Sequence, residues 1–129
     1  MNEIYVEVFE GMTRDEMLPI IKKIGYTGFF SSTDYASNFK ELSEFRRLGD
    51  ELGLIYETSH CTIPGCCDIW YPGSAGDEYI EMLKGEIDHC VALNIPVYVT
   101  HIQTDMQTGM SLELGIKRYE PLVAYAKEK

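Results

Sequence analysis

Two of the three histidines stand in matching places. His60 closes the run Leu54-Ile55-Tyr56-Glu57-Thr58-Ser59 and His101 closes Pro96-Val97-Tyr98-Val99-Thr100, both rich in the β-branched and aromatic residues of strands. Imidazole there can ligate a metal ion, polarise a carbonyl or hydrogen-bond a sugar hydroxyl. The carboxyl ends of strands are also where parallel α/β folds bind ligands, so the matched pair reads as a site. His89, beside Cys90 in a helix-like stretch, reads as a solvated helix-face residue. A second cluster, His60-Cys61 with Cys66-Cys67, gathers thiols and an imidazole in one loop. No second C-x-x-C closes it and adjacent cysteines rarely turn toward one ion, so a zinc site is the weaker reading.

A matched pair needs a repeating scaffold, and the chain alternates strand-like with helix-like segments. The first strand is expected over Glu3 to Phe9, closed by Gly11. Thr13-Arg14-Asp15-Glu16 has capping-box spacing, and Met17, Ile20, Ile21 and Ile24 stripe the helix that follows, with Gly25 at its end. Pro19 fits that helix if it begins a few residues past the cap. Gly28 to Ser31 is a second strand, followed by a helix striped by Phe39, Leu42, Phe45, Leu48 and Leu52 and stopped by Gly53. After the third strand comes a long irregular stretch from Cys61 to Gly76, of a length that is usually functional. Asp77 can cap a third helix with Ile80, Leu83, Ile87, Cys90 and Val91 on its buried face, before Asn94 and the fourth strand. Ser111 opens a last helix carrying Leu112, Ile116, Tyr119, Leu122, Val123 and Ala126.

Four βα units joined by right-handed crossovers predict an α/β fold with a parallel sheet. The junctions Ile24-Gly25-Tyr26, Leu52-Gly53-Leu54 and Leu93-Asn94-Ile95 recur as an internal repeat. The 129 residues make about 32 per unit, against about 31 in an eight-unit barrel of ~250 residues. The expectation is a single domain over residues 1–129 that is half of a (β/α)8 TIM barrel, completed by self-association. A doubly wound sheet is the competing fold, but Glu10-Gly11-Met12-Thr13 lacks its glycine-rich phosphate turn.

Composition narrows the functional classes. A formal charge of −10, with 11 Lys and Arg against 21 Asp and Glu, gives no footprint for nucleic-acid phosphates. The basic residues fall in scattered pairs such as Arg46-Arg47 and Lys117-Arg118, and Glu41, Glu44, Glu51, Glu81 and Glu86 are read as exposed helix faces. No window has the ~18 consecutive apolar residues of a membrane span and no signal peptide opens the chain. With 45% hydrophobic residues the four cysteines are not needed as disulfide staples, so a reduced, cytoplasmic protein is expected.

The stretch Ile21-Lys22-Lys23-Ile24-Gly25-Tyr26-Thr27-Gly28-Phe29, the segment from Leu52-Gly53-Leu54 to Thr58-Ser59-His60, and Asn94-Ile95-Pro96-Val97-Tyr98-Val99-Thr100-His101 resemble the xylose isomerase-like barrel superfamily. That group contains sugar and sugar phosphate isomerases and epimerases together with type IV apurinic endonucleases. The resemblance places His60 and His101 at the active-site mouth, as substrate contacts or as ligands of a divalent metal ion (Mn, Mg, Co or Zn). It makes Trp70, with Tyr71 beside it, the candidate aromatic wall of a sugar pocket; the competing role is an anchor tucking the loop onto the barrel rim. Family members carry a carboxylate at the end of the second strand, where this chain has Phe30-Ser31-Ser32 and only Asp34 nearby. Their paired catalytic glutamates come from strands five to eight, which the sequence ending at Lys129 does not supply.

The implied function is metal-assisted proton transfer next to a sugar carbonyl, with this chain inactive alone. The implied partners are a small sugar or sugar phosphate and further copies of the chain. The competing reading is a non-catalytic half-barrel used for binding or oligomerisation.

Overall fold

The computed structural model describes residues 3–8, 11–31, 39–61, 63–102 and 108–129. Strands β1 (Tyr5–Glu7), β2 (Gly28–Ser31), β3 (Ile55–His60) and β4 (Val97–Val99) alternate with helices α1 (Arg14–Ile24), α2 (Phe39–Leu52), α3 (Ala75–Ala92) and α4 (Leu112–Glu128). A short 3-10 helix, Cys66–Trp70, follows β3. The strands form one parallel sheet in the order β1-β2-β3-β4. With sequential neighbours and no reversal of order, it has no topological switch point and matches an arc of a barrel, not a doubly wound sheet.

The helix starts follow local chemistry. Thr13 and Glu16 form the complete capping box: the Glu16 amide donates to the Thr13 hydroxyl at 3.3 Å and the Thr13 amide to the Glu16 carboxylate at 3.0 Å. α1 therefore begins directly after the cap, and Pro19 lies inside it. The one backbone bond that proline forfeits is offset by the cap and by burial of Met17, Leu18 and Ile21. Ser111 caps α4, accepting from the Leu114 amide at 3.2 Å. α3 starts ahead of Asp77, at Ala75; Asp77 sits in its first turn and turns to Arg118. β2 has the expected bounds, while β1, β3 and β4 are shorter than the sequence suggests, and Phe9 lies outside the described residues.

The helix stripes are corrected in detail. Ile20 and Ile24 on α1, Phe39 on α2, Val91 on α3, and Leu112, Ile116, Val123 and Ala126 on α4 are exposed. Leu42 and Phe45 of α2 and Ile80, Leu83 and Ile87 of α3 are buried as expected. One cluster packs β1 to β3 against α1 and α2, with Phe29 and Tyr56 stacked at 4.6 Å between ring centroids. Gly49 lets α2 lie flat there: a Cβ would come within 2.9 Å of the Phe29 ring. A second cluster joins the loop after β3 to α3 and α4.

Glu86 is also corrected: it is 4% exposed, on the same face of α3 as Leu83 and Cys90. One of its carboxylate oxygens finds no hydrogen-bond partner among the described residues, and the other lies 3.8 Å from His89 Nδ1. Burial raises its pKa to about 7. Folding therefore favours the protonated carboxyl. Its contribution is neutral below about pH 4.5 and turns increasingly unfavourable as pH rises through about 7. Glu86→Gln is expected to remove that loss, gaining on the order of 1–2 kcal/mol over the native chain between pH 5 and pH 8. Urea unfolding of both proteins across this range checks it; parallel stability-pH curves refute it.

Candidate functional site

β3 and β4 carry the two histidines to one end of the sheet. His60 is the last residue of β3 and pairs in register with Val99, while the Cys61 amide donates to the Val99 carbonyl at 2.7 Å. His101 lies two residues beyond β4. The rings meet edge to face, 4.8 Å between centroids and 76° between planes. His60 is half-buried and His101 exposed, so both residues are within reach of solvent.

Two aromatic donors fix the chain at His101. The Tyr119 hydroxyl of α4 donates to the His101 carbonyl at 3.1 Å, and Trp70 Nε1 donates to the Ile102 carbonyl at 2.8 Å. Burial pushes the Tyr119 phenol up to about 12, so it remains a donor throughout the neutral range. The Trp70 ring is buried against Tyr119, 6.1 Å between centroids, and over Gly115, where any Cβ would overlap it. Its contacts are those of an anchor holding the loop to α4 and to the segment after β4. Asp34 lies outside the described residues.

Cys61, Cys66 and Cys90 are buried and Cys67 is half-buried, all as thiols. Cys61 Sγ lies 3.6 Å from the Tyr79 hydroxyl. Among the described residues no three of His, Cys, Asp or Glu gather in a way that could hold a metal ion. Two imidazoles set edge to face do not make the oxygen-rich or three-ligand set a divalent ion needs, so the described residues do not fit one.

Strand alternation brings further carboxylates to the sheet face opposite the helices. Val6 and Val8 pack into the helix-side cluster, leaving Tyr5 and Glu7 on the other face. Glu57 is the extra residue where the β2-β3 register shifts, Phe29 facing Tyr56 and Phe30 facing Thr58. Sequence reading passed over both glutamates; the two-residue alternation of Val6 and Val8 around Glu7 was the signal for the first, and a register shift has none.

Two solved structures share this fold over nearly the whole chain. One is a xylose isomerase domain protein from Planctomyces limnophilus, with a TM-score of 0.70 at 12% identity over 97% of this chain and 50% of that one. The other is the 3-keto-D-glucoside 4-epimerase of E. coli in its apo form, with a TM-score of 0.70 at 14% identity over 98% and 51%. The chain has the fold of half a xylose isomerase-like barrel. No family model and no curated protein matches its sequence. The half-barrel spans about half the length of the solved structures it matches. Its His60-His101 pair stands at the carboxyl ends of adjacent strands, where barrels of this architecture place their chemistry. No helix among the described residues is long and apolar enough to cross a membrane.

Proposed function

We propose that the half-barrel binds a small sugar or sugar phosphate at the carboxyl end of its sheet and forms part of an isomerase- or epimerase-type site. The observation that carries this reading is the edge-to-face meeting of His60 and His101 at that end. One structural neighbour is a sugar epimerase and the other a xylose isomerase domain protein, which supports the substrate class.

Two imidazoles at this spacing can hydrogen-bond adjacent oxygens of a sugar, and a proton donated to a carbonyl oxygen polarises it toward loss of the neighbouring C–H proton. Trp70 and Tyr119 act as positioning residues, fixing the backbone that carries His101. The carboxylates that remove and return the proton come, in this reading, from the other half of a complete barrel.

Calorimetric titration with keto-sugars and sugar phosphates tests the reading. His60→Ala and His101→Ala are each expected to weaken binding about tenfold, the loss of one hydrogen bond to a ligand oxygen of ~1.4 kcal/mol. Unchanged affinity in the double variant would overturn it and favour a module that does not use this opening.

A further inference from the structure

Beneath α3 the sheet carries serines where a helix-covered parallel sheet normally carries branched apolar side chains. Ser31 of β2 and Ser59 of β3 are fully buried and pair in register, and Tyr98 of β4 is the next partner in the same row. The Ser31 hydroxyl donates to that of Ser59 at 3.4 Å, the long limit of a hydrogen bond. Glu57, the extra residue in β3, leaves Tyr56 and Ser59 on the same side of the sheet, so the Tyr56 phenol joins this layer. From above, α3 presents Glu86 and Cys90, each 4% exposed. The groups act on one another. Burial and the nearby Glu86 push the Cys90 thiol up to about 11 against the Ser59 hydroxyl, and Ser31, Cys90, Ser59 and Glu86 all act on the buried Tyr56 phenol.

Hydrogen bonds are short in this layer. Glu86 Oε2 and the hydroxyls of Tyr56 and Tyr98 are buried and have no hydrogen-bond partner among the described residues. Buried polar groups in folded proteins are almost always satisfied, and where protein atoms do not supply the bonds an ordered water does, making about three of them. Room is at hand, since a serine is smaller than the branched residue it replaces, and Cys90 and Tyr98 also line an adjoining cavity of about 580 Å³.

We propose that this layer is an internal hydration site, an ordered water held between the Glu86 carboxyl, the Tyr56 hydroxyl and the Ser31-Ser59 pair. Water suits these groups because it donates to a carboxyl oxygen and accepts from a phenol at once. It ties α3 to β2 and β3 by bonds that the side chains do not make directly. These partners come from β2, β3 and α3, away from the sheet edges on β1 and β4.

Magnetic relaxation dispersion of the water oxygen nucleus counts waters held longer than the protein takes to tumble, and the native chain is expected to hold at least one. Tyr56→Phe deletes a single oxygen, and Glu86→Leu exchanges the carboxyl for an apolar group. Each is expected to lower the count by about one with circular dichroism retained. Glu81→Gln, on the exposed face of α3, is expected to leave it unaltered. If Glu86→Leu fails to fold, Tyr56→Phe decides. A native count of zero overturns the proposal, as does a count that Tyr56→Phe leaves unaltered or that Glu81→Gln lowers equally.

Discussion

Arg118→Ala is expected to destabilise the protein by about 3–5 kcal/mol and to release the loop between β3 and α3. The guanidinium donates from Nε to Asp77 at 2.7 Å, from Nη1 to the carbonyls of Ile69 at 2.9 Å and Tyr71 at 2.8 Å, and from Nη2 to the carbonyl of Gly73 at 2.6 Å. A longer contact of 3.2 Å reaches the Asp68 carbonyl. The Arg118 side chain is 7% exposed while that of Asp77 is 68% exposed, so the ion pair is the minor part. Asp77 regains water when its partner is removed. The loop carbonyls are held inward around the guanidinium and lose their donors together, and an unmet buried acceptor costs about 1–3 kcal/mol. Asp77→Asn is therefore expected to cost much less than Arg118→Ala. Arg118→Lys is not expected to rescue, because one ammonium cannot reproduce a planar fork spread over this arc of acceptors. Trp70 is the only tryptophan and lies in the 3-10 helix that Arg118 holds, so its fluorescence during urea unfolding reports the loop directly. An unfolding midpoint equal to that of the native chain would refute the assignment.

The sequence made Arg118 look like half of a scattered basic pair with Lys117, and the reason is general. Its acceptors are main-chain carbonyls, which carry no residue-specific signature. Features governed by near neighbours were legible: the Thr13 and Ser111 caps, β2 at Gly28 to Ser31, and the Leu42 and Phe45 positions of the α2 stripe. The histidine pair was legible because it needs only a strand count and the rule that parallel strands end together. Glu86 was legible in principle, since it follows Leu83 by three residues and precedes Cys90 by four, but charge was allowed to outweigh periodicity. The stripes of α1 and α4 show the opposite limit. Periodicity names an apolar face correctly and is silent on what covers it, so Ile20, Ile24 and Ile116 read as core positions although the described residues leave them exposed. The role of Trp70 was divided between pocket wall and anchor because the deciding contacts, Gly115 and the Ile102 carbonyl, come from distant parts of the chain.

Gly115→Ala sets helix propensity against packing, with opposite signs. In an exposed helix the change would stabilise by about 1 kcal/mol. Here Gly115 is buried in α4 with the six-membered ring of Trp70 occupying the space of a side chain, so a methyl group must displace the ring or the helix. Overpacking of this kind costs about 1–3 kcal/mol and more where backbone must move, and backbone is tied on both sides. The Ser111 amide donates to the Trp70 carbonyl at 2.8 Å, and the Gly115 amide donates to the Ser111 carbonyl at 3.1 Å. The net expectation is a loss of about 2–3 kcal/mol in urea unfolding. Trp70→Phe in the Gly115→Ala background supplies the missing space and is expected to recover part of that loss, a coupling that a double-mutant cycle reads directly. The same displacement loosens the bond from Trp70 Nε1 to the Ile102 carbonyl, and with it the backbone that carries His101. Gly115→Ala should therefore weaken the sugar binding proposed above although neither imidazole is removed. A stabilised protein with unaltered tryptophan fluorescence would show that propensity governs this position and that the ring is not held there.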